Sequence, residues 1–344
     1  MSIPVGILGA TGLVGQRLVA AIEEHATFEL VAIAASDDRV GSTYAEEVTW
    51  RIDTPLPPSV ERMSFERAHP AELEARPEVI LSALPGSVAS EVEPVFAEAG
   101  HLVASNASFD RMASDVPLVI PEVNAGHIHL IEHQRSARGW EGALVKNPNC
   151  TAATITIPLA ALGPFDIERV HAVTMQAISG AGATGVMAID AIDNVLPNIP
   201  GEAEKLATEP AKLLGEYTGD EITPAAIDVD ATCHRVPVID GHLASVWVEL
   251  ATTPDRGDVE AAFDGVPAVD LPSAPTQPIV RQDGPRRPRP RYDRDAANGM
   301  GVTVGPVRID DSTLQFECLS HNTIRGAAGA CILAAELALD AGYL

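Results

Sequence analysis

A glycine-rich turn near the start of the chain places the strongest constraint on its fold. Residues 5–8 form a short apolar run typical of a buried strand, Gly9-Ala10-Thr11-Gly12 predicts a turn, and an amphipathic helix is predicted over 13–24. The same alternation of apolar runs with helical segments continues at 29–35, 79–84, 101–104 and 118–120. Strands that alternate with helices predict a parallel sheet with crossover helices.

The pattern changes after about residue 165. Alternating polar and apolar residues predict longer strands of a mixed or antiparallel sheet at 170–178, 238–249 and 302–319. A helix rich in small residues near the C-terminus is expected to pack back on the first domain. The sequence therefore predicts an α/β protein with a first domain over residues 1–150, completed by 323–344, and a second, α+β domain over 151–322.

The charge of the chain limits its partners. Its 344 residues carry a formal net charge of −25, and such a surface repels nucleic acid and anionic membranes. No apolar run reaches the roughly 18 residues of a transmembrane helix, and no signal peptide is predicted. The four cysteines lack metal-ligand spacing, which favours a cytoplasmic protein without a metal. The one basic cluster, 286–291, is interpreted as a solvated loop or a subunit contact.

The glycine-rich turn also suits a ligand that contains phosphate. Its glycines let the backbone approach a pyrophosphate, whose charge is attracted by the N-terminus of the following helix. NAD enzymes often carry an acidic residue at the end of the second strand, where it holds the ribose 2′-hydroxyl. Here Ser36 takes that place and Arg39 follows, which favours the 2′-phosphate of NADP, whereas Asp37 and Asp38 leave NAD open.

A second cluster of informative residues surrounds Cys150. The sequence Asn147-Pro148-Asn149 interrupts any preceding strand, and the Thr/Ala run after Cys150 can begin a helix. The unpaired N–H groups and the dipole at a helix N-terminus favour the thiolate, which is the nucleophilic form of cysteine. A buried, inert cysteine is the alternative.

An arginine and a histidine lie close together around one predicted turn. Arg235 offers a planar fork for a carboxylate, and the imidazole of His242 suits acid/base catalysis because it titrates near neutral pH. A histidine after Asp240-Gly241 is by itself more often an ordinary turn residue. Its closeness to Arg235 in the sequence is what predicts a shared site.

Motifs along nearly the whole chain resemble the aspartate-β-semialdehyde dehydrogenases, in the branch found in archaea and fungi. These motifs are residues 9–15, 82–85, 105–112, 116–124, 147–150, 176–182, 209–212, 235–242 and 322–329. The resemblance implies a Rossmann-type, doubly wound N-terminal domain that binds NADP. It also implies a catalytic and dimerisation domain, and a homodimer or homotetramer that acts on a small-molecule substrate.

The resemblance further implies a role for each matching residue. Cys150 would be the acyl-accepting nucleophile, and His242 the general acid/base. The substrate would be bound by Gln176 near the thiol, Arg235 on the α-carboxylate, Glu209 on the ammonium group, and Arg111 with Lys212 on the phosphate. NADP would be held by Gly9, Thr11, Gly12, Leu13, Val14, Ser36, Arg39, Ser82, Ser179, Gly180 and Asn322. The family usually has an arginine at the position of Asp38, so the 2′-phosphate contact departs from the pattern.

The implied reaction is the reductive dephosphorylation of L-aspartyl 4-phosphate by NADPH, in lysine, threonine and methionine biosynthesis. It would proceed through a thioester on Cys150, with nearby backbone N–H groups stabilising the oxyanion. The alternatives are an N-acetylglutamyl-phosphate reductase, a malonyl- or succinyl-CoA reductase, and a non-catalytic nicotinamide-binding regulator. The acyl substrates of these reductases lack a free α-ammonium group, so an anion such as Glu209 argues against them.

The net charge leads to a first prediction. Such an acidic composition resembles that of halophilic proteins, because self-repulsion destabilises the compact state unless salt screens it; an ordinary acidic protein is the alternative. We expect the melting temperature, followed by circular dichroism, to rise as KCl is increased into the molar range. A flat or falling melting temperature would rule out the halophilic interpretation.

Overall fold

The computed structural model describes residues 2–182 and 184–344 of the chain. Its N-terminal part contains a six-stranded parallel sheet with the order β3-β2-β1-β4-β5-β6. The strands are Ile3–Leu8 (β1), Phe28–Ala35 (β2), Phe65–Arg67 (β3), Val79–Ser82 (β4), Leu102–Ser105 (β5) and Ala143–Lys146 (β6). The order reverses between β1 and β4, and a crevice for ligands forms at such a switch point. The predicted Rossmann-type fold class is confirmed.

Helices connect these strands. They are Leu13–Glu23 (α1), Tyr44–Glu47 (α2), Pro58–Glu61 (α3), Gly86–Glu98 (α4), Pro121–Asn124 (α5) and Leu130–Arg138 (α6), with 3₁₀ turns at Asp37–Arg39, Pro70–Glu72 and Ala125–His129. The strand predicted at 118–120 is reduced to a single bridge from Leu118 to Lys146. The pairing stops there because Pro121 begins a helix directly afterwards.

A mixed sheet forms the second half of the molecule, as predicted. Its order is β13-β14-β16-β12-β7-β11-β8, with β15 paired to β16, and β9 and β10 form a separate hairpin. The strands are Ile167–Gln176 (β7), Leu196–Pro197 (β8), Glu216–Tyr217 (β9), Ile222–Thr223 (β10), Asp228–Arg235 (β11), His242–Leu250 (β12), Ile279–Arg281 (β13), Val302–Val304 (β14), Arg308–Asp310 (β15) and Thr313–Ser320 (β16). The single strand predicted at 302–319 was wrong, because a turn at Asp311, with φ of 52°, reverses the chain.

The second half also contains five helices. They are Cys150–Ala161 (α7), Ala188–Ala191 (α8), Glu202–Leu213 (α9), Arg256–Asp264 (α10) and Pro290–Asp293 (α11), with 3₁₀ turns at Gly163–Phe165, Ile178–Ala181 and Ala296–Gly299. Of these, α7, α9 and α10 pack on one face of the mixed sheet. Val246 and Phe316 are fully buried in the core between the sheet and these helices. Side chains alternate along a strand, so Trp247 lies on the opposite face, where it is only half-buried.

The C-terminal segment returns to the first sheet. It begins with a π-helical turn, Ile324–Ala328, and continues as Gly329–Asp340 (α12). Ile332 and Ala335 of α12 are buried in the same core as the strands of the parallel sheet. In the π-helical turn, Gly326 packs directly on the start of α7, where a Cβ atom would lie 2.4 Å from the Cβ of Cys150. This segment therefore joins both sheets at the cysteine.

None of the helices in residues 2–182 and 184–344 combines the length and hydrophobicity of a segment that crosses a bilayer.

Candidate active site

A cavity of about 440 Å³ lies where the two halves of the molecule meet. One wall is the glycine-rich turn with the start of α1, and the opposite wall is formed by α9 and by the turn after β7. Its lining residues are Gly12, Leu13, Val14, Ala83, Leu84, Pro85, Gly86, Asn106, Ala107, Ser108, Arg111, Asn149, Cys150, Gln176, Ser179, Gly180, Ala181, Gly182, Glu202, Lys205, Asn322, Thr323, Gly326 and Ala327. The cavity thus contains the predicted nucleophile and part of the predicted cofactor site.

Cys150 is the first residue of α7, as the sequence predicted. The side chain of Asn149 caps this helix: its Oδ1 accepts hydrogen bonds from the N–H groups of Thr151 at 2.9 Å and Ala152 at 3.1 Å. These two donors are therefore occupied and cannot stabilise a thiolate or an oxyanion. Burial, and next the charge of Glu202, raise the pKa of Cys150 to about 12. The thiolate expected from the helix N-terminus is therefore not favoured.

Glu202 is a carboxylate in the cavity that the sequence analysis did not identify. It accepts hydrogen bonds from Asn149 Nδ2 at 3.0 and 3.1 Å, from Gln176 Nε2 at 3.2 Å and from Lys205 Nζ at 2.8 Å. Burial raises its pKa, but these hydrogen bonds outweigh burial and hold the pKa below its usual value. Glu202 is therefore ionised next to Cys150 at neutral pH.

Glu209 and Lys212 lie behind the cavity, outside its lining. Glu209 Oε1 accepts a hydrogen bond from Arg111 at 3.0 Å, and Lys212 Nζ donates to three backbone carbonyls. Arg111 itself lines the cavity. The placement does not fit the predicted ammonium contact of Glu209 or phosphate contact of Lys212. The same Glu-x-x-Lys spacing occurs at Glu202 and Lys205, and this repeat is the sequence signal for Glu202.

Arg235 and His242 lie together beneath Gly180. A Cβ atom on Gly180 would come within 2.8 Å of the Arg235 guanidinium and 3.0 Å of His242 Nε2, so only glycine fits there. Arg235 donates to the carbonyl of Ala177 at 2.8 Å. Gly180 lines the cavity, whereas Arg235 and His242 lie directly behind it, outside the lining.

His242 has a defined protonation state. Its Nδ1 accepts a hydrogen bond from the N–H of Ala177 at 3.0 Å. Burial, and next the charge of Arg235, lower its pKa to about 3, so the imidazole is neutral at pH 7. The single ring proton must then be on Nε2, which is buried and has no hydrogen-bond partner among the described residues. His242 therefore offers an unused N–H donor.

The glycine-rich turn fits the pyrophosphate of a dinucleotide. Gly9 has a φ of 77°, and a Cβ atom there would lie 2.8 Å from the carbonyl oxygen of Ala83. Gly12 precedes α1 without a side-chain cap, so the first N–H groups of the helix, at Leu13 and Val14, remain available at the cavity wall. Free N–H groups at a helix N-terminus bind anions.

The other predicted cofactor residues fall into two groups. Asn322 faces the turn from the opposite wall, donating to Ser179 Oγ at 2.8 Å and accepting from the N–H of Gly241 at 2.8 Å. Thr11 lies within the turn, and Ser82 is buried at the end of β4. Ser36 and Arg39 lie outside the cavity, where Ser36 donates to Asp38 at 2.5 Å and Arg39 pairs with Glu47 at 3.4 Å. Their contact with a 2′-phosphate stays a prediction.

Comparison with known proteins places these features in context. Residues 4–131 match the family model "Semialdehyde dehydrogenase, NAD binding domain", and residues 157–325 match "Semialdehyde dehydrogenase, dimerisation domain". The chain is 48% identical to aspartate-semialdehyde dehydrogenase of Archaeoglobus fulgidus, with 98% of both chains covered. It is 37% identical to malonyl CoA reductase (NADP) of Metallosphaera sedula, covering all of this chain and 98% of that protein.

A solved structure agrees with these relatives. The aspartate semialdehyde dehydrogenase of Candida albicans, crystallised with NADP, superposes with a TM-score of 0.90 at 36% identity, and each chain is fully covered.

The charge of Glu202 leads to a prediction about the thiol. We expect Glu202→Gln to lower the pKa of Cys150 and speed its alkylation by iodoacetamide at pH 8, by about tenfold for each unit of pKa shift. Mass spectrometry of the peptide that contains Cys150 measures the rate from pH 7 to 10. Glu204→Gln, an exposed change on the same helix, should have no effect. A wild-type rate that levels off below pH 8 would show that the thiol is already ionised.

Proposed function

This chain belongs to the aspartate-semialdehyde dehydrogenase family, and we propose that it reduces L-aspartyl 4-phosphate to L-aspartate 4-semialdehyde with release of phosphate. It is an NADP-dependent oxidoreductase of the aspartate pathway. The observation that carries the proposal is one cavity whose lining contains a cysteine, an ionised carboxylate, two cationic side chains and the glycine-rich turn.

The charges in the cavity complement those of this substrate. Aspartyl phosphate has a carboxylate, an ammonium group and an acyl phosphate. We assign the ammonium group to Glu202, which replaces Glu209 in this role because its carboxylate faces the cavity. Arg111 and Lys205 bind the phosphate. Arg235, which lies beneath Gly180, binds the α-carboxylate.

Substrate binding activates the nucleophile in this proposal. Burial and the negative charge of Glu202 raise the pKa of Cys150. An ammonium group bound to Glu202 offsets that charge, and the nearby charges of Arg111 and Lys205 then favour the thiolate, with the thiol proton released to solvent. The ionised thiol would thus form when the correct substrate is present, which limits side reactions of a free thiolate.

The thiolate of Cys150 then attacks the acyl carbon. A bond forms between sulfur and carbon, the bond from carbon to the phosphate oxygen breaks, and phosphate leaves toward Arg111. A thioester remains on Cys150. NADP would be held by the glycine-rich turn and Asn322, and in its reduced form it supplies the hydride for the second half of the reaction.

His242 acts as a hydrogen-bond donor in the second half. The N–H of Ala177 fixes the neutral ring with its proton on Nε2. This N–H can donate to the oxyanion that forms on reduction of the thioester, and the ring cannot accept the thiol proton in this tautomer. Collapse of the oxyanion breaks the bond between carbon and sulfur, releases the semialdehyde and returns Cys150 as the thiolate. Gln176, which donates to Glu202, holds the substrate carbonyl near the thiol.

The CoA reductases of the same family are the second candidate. Their acyl-CoA substrates have no α-ammonium group, so they would not offset the charge of Glu202 that raises the pKa of Cys150. The charges in the cavity therefore favour aspartyl phosphate.

The activity itself is tested by following NADPH formation from aspartate semialdehyde, phosphate and NADP. We expect turnover with these substrates, slower turnover with NAD, and none with malonyl-CoA and NADPH in the reverse assay. Cys150→Ala should lower kcat by about 10³-fold or more while NADP still binds. Cys318→Ala, a buried cysteine outside the cavity, is the matched control. Turnover of malonyl-CoA alone, or an active Cys150→Ala variant, would contradict the proposal.

The uncovered face of the mixed sheet supports a homodimer. Leu243 and Met175 are paired across β12 and β7, Trp247 lies two pairs further along the same face, and the side chain of Val173 is also only partly covered. Monomeric proteins rarely leave such an apolar sheet face open. We infer that a second copy of the chain covers this face, in line with the dimerisation model that matches residues 157–325.

A single charge tests this interface. Trp247→Glu introduces a carboxylate in the middle of the face, and we expect it to shift the protein from dimer or larger to monomer in sedimentation velocity. Val95→Glu places the same charge on a partly exposed apolar position of α4, away from the sheet, and should leave the assembly intact. A dimeric Trp247→Glu variant would exclude this face.

A further inference from the structure

Helix α9 carries two copies of the same charge pattern. Glu202 and Lys205 form the first Glu-x-x-Lys unit, and Glu209 and Lys212 form the second, seven residues later. Seven residues are two helical turns, so all four side chains project from one face of the helix. The first unit lines the cavity, and the second lies directly behind it, with Glu209 2% and Lys212 4% exposed.

Glu209 joins two parts of the site. Its Oε1 accepts a hydrogen bond from Arg111 at 3.0 Å, and its Oε2 accepts one from the backbone N–H of Asn149 at 2.6 Å. Asn149 is the residue directly before Cys150 and caps its helix. A single buried carboxylate thus connects the arginine of the cavity to the residue that begins the helix of the nucleophile.

Lys212 fixes the main chain that carries Arg111. Its ammonium group donates to the carbonyl oxygens of Arg111 at 2.8 Å, Ala113 at 2.7 Å and Val116 at 2.8 Å. An ammonium group has three N–H donors, so none remains for a phosphate. Burial lowers the pKa of Lys212 to about 8, and the group therefore stays mostly protonated at pH 7.

Arg111 is held at both ends of its side chain. One terminal nitrogen binds Glu209, the other donates to the carbonyl of Asn106 at 2.6 Å, and Lys212 holds its own carbonyl oxygen. The Nε of Arg111 has no partner within the described part of the chain. Its guanidinium keeps unused donors while its position is fixed, which reduces the conformational entropy lost when an anion binds.

We propose that Glu209 and Lys212 are positioning residues, which hold Arg111 ready for the phosphate and tie it to the start of the nucleophile's helix. The inference rests on the proposed function, in which Arg111 receives the phosphate of the acyl substrate. It assigns the second Glu-x-x-Lys unit no substrate contact: Glu209 and Lys212 act through Arg111.

The test compares two Michaelis constants of the reverse reaction, one for phosphate and one for aspartate semialdehyde. In the oxidation of aspartate semialdehyde with phosphate and NADP, Glu209→Gln should raise KM for phosphate about tenfold, which corresponds to ~1.4 kcal/mol. KM for aspartate semialdehyde should change by less than twofold. Glu204→Gln, an isosteric change on the exposed side of α9, should leave both constants unchanged.

A double-mutant cycle distinguishes positioning from a separate contact. If Glu209 acts through Arg111, Glu209→Gln should cause no further rise in KM for phosphate when Arg111→Ala is already present. An additive effect, an unchanged KM for phosphate, or a larger rise in KM for the semialdehyde would each overturn the proposal. The last outcome would restore Glu209 as the ammonium ligand.

Two controls keep the result interpretable. If the wild-type protein does not oxidise the semialdehyde in a phosphate-dependent reaction, the proposed function is refuted. If the wild-type protein is active and Glu209→Gln has the same Michaelis constants, only this inference is refuted. Circular dichroism establishes that each variant folds. Should Glu209→Gln fail to fold, Lys212→Arg keeps the charge but changes the donor geometry, and it should raise KM for phosphate in the same selective way.

Discussion

The contacts of Asn149 are the constraint on which the rest of the site depends. Its side-chain oxygen caps the helix that begins with Cys150, while two carboxylates from α9 bind its other groups: Glu202 its side-chain amide and Glu209 its backbone N–H. Buried carboxylates are costly unless they are hydrogen-bonded. These hydrogen-bonded carboxylates therefore hold α9 against α7. Through their own ion pairs, Glu209 positions Arg111 and Glu202 positions Lys205 at the cavity.

The chain places its scarce lysines at this site. It has three, Lys146, Lys205 and Lys212, against 48 acidic residues. Lys146 is fully buried at the end of β6, where it pairs with Glu93 and donates to Ser105 just before the turn that leads to Cys150. Lys205 lines the cavity, and Lys212 holds the Arg111 loop. A chain with a net charge of −25 thus contains a local set of buried groups in which positive and negative charges are paired.

Much of the fold could be predicted because it depends on local patterns. The buried parallel strands are continuous apolar runs, so β1, β2, β4 and β5 were located within a few residues. The start of α7 at Cys150 follows from Asn149, whose side chain is a good N-cap. Other elements differ from the prediction because of their tertiary contacts. The segment 118–120 forms only one β-bridge, and a turn at Asp311 divides the strand predicted at 302–319.

The sequence by itself determined which residue types the protein has for its chemistry: a cysteine at a helix start, a glycine-rich turn after a strand, and an arginine and a histidine beside one turn. Only the tertiary structure decided which of two identical Glu-x-x-Lys units reaches the cavity. Spacing along a helix puts both units on the same face, but their distance from Cys150 depends on how α9 crosses α7. The protonation state of Cys150 also depends on the tertiary structure. Burial and the charge of Glu202 raise the pKa of the thiol, and they outweigh the stabilisation of the thiolate that a helix N-terminus would give.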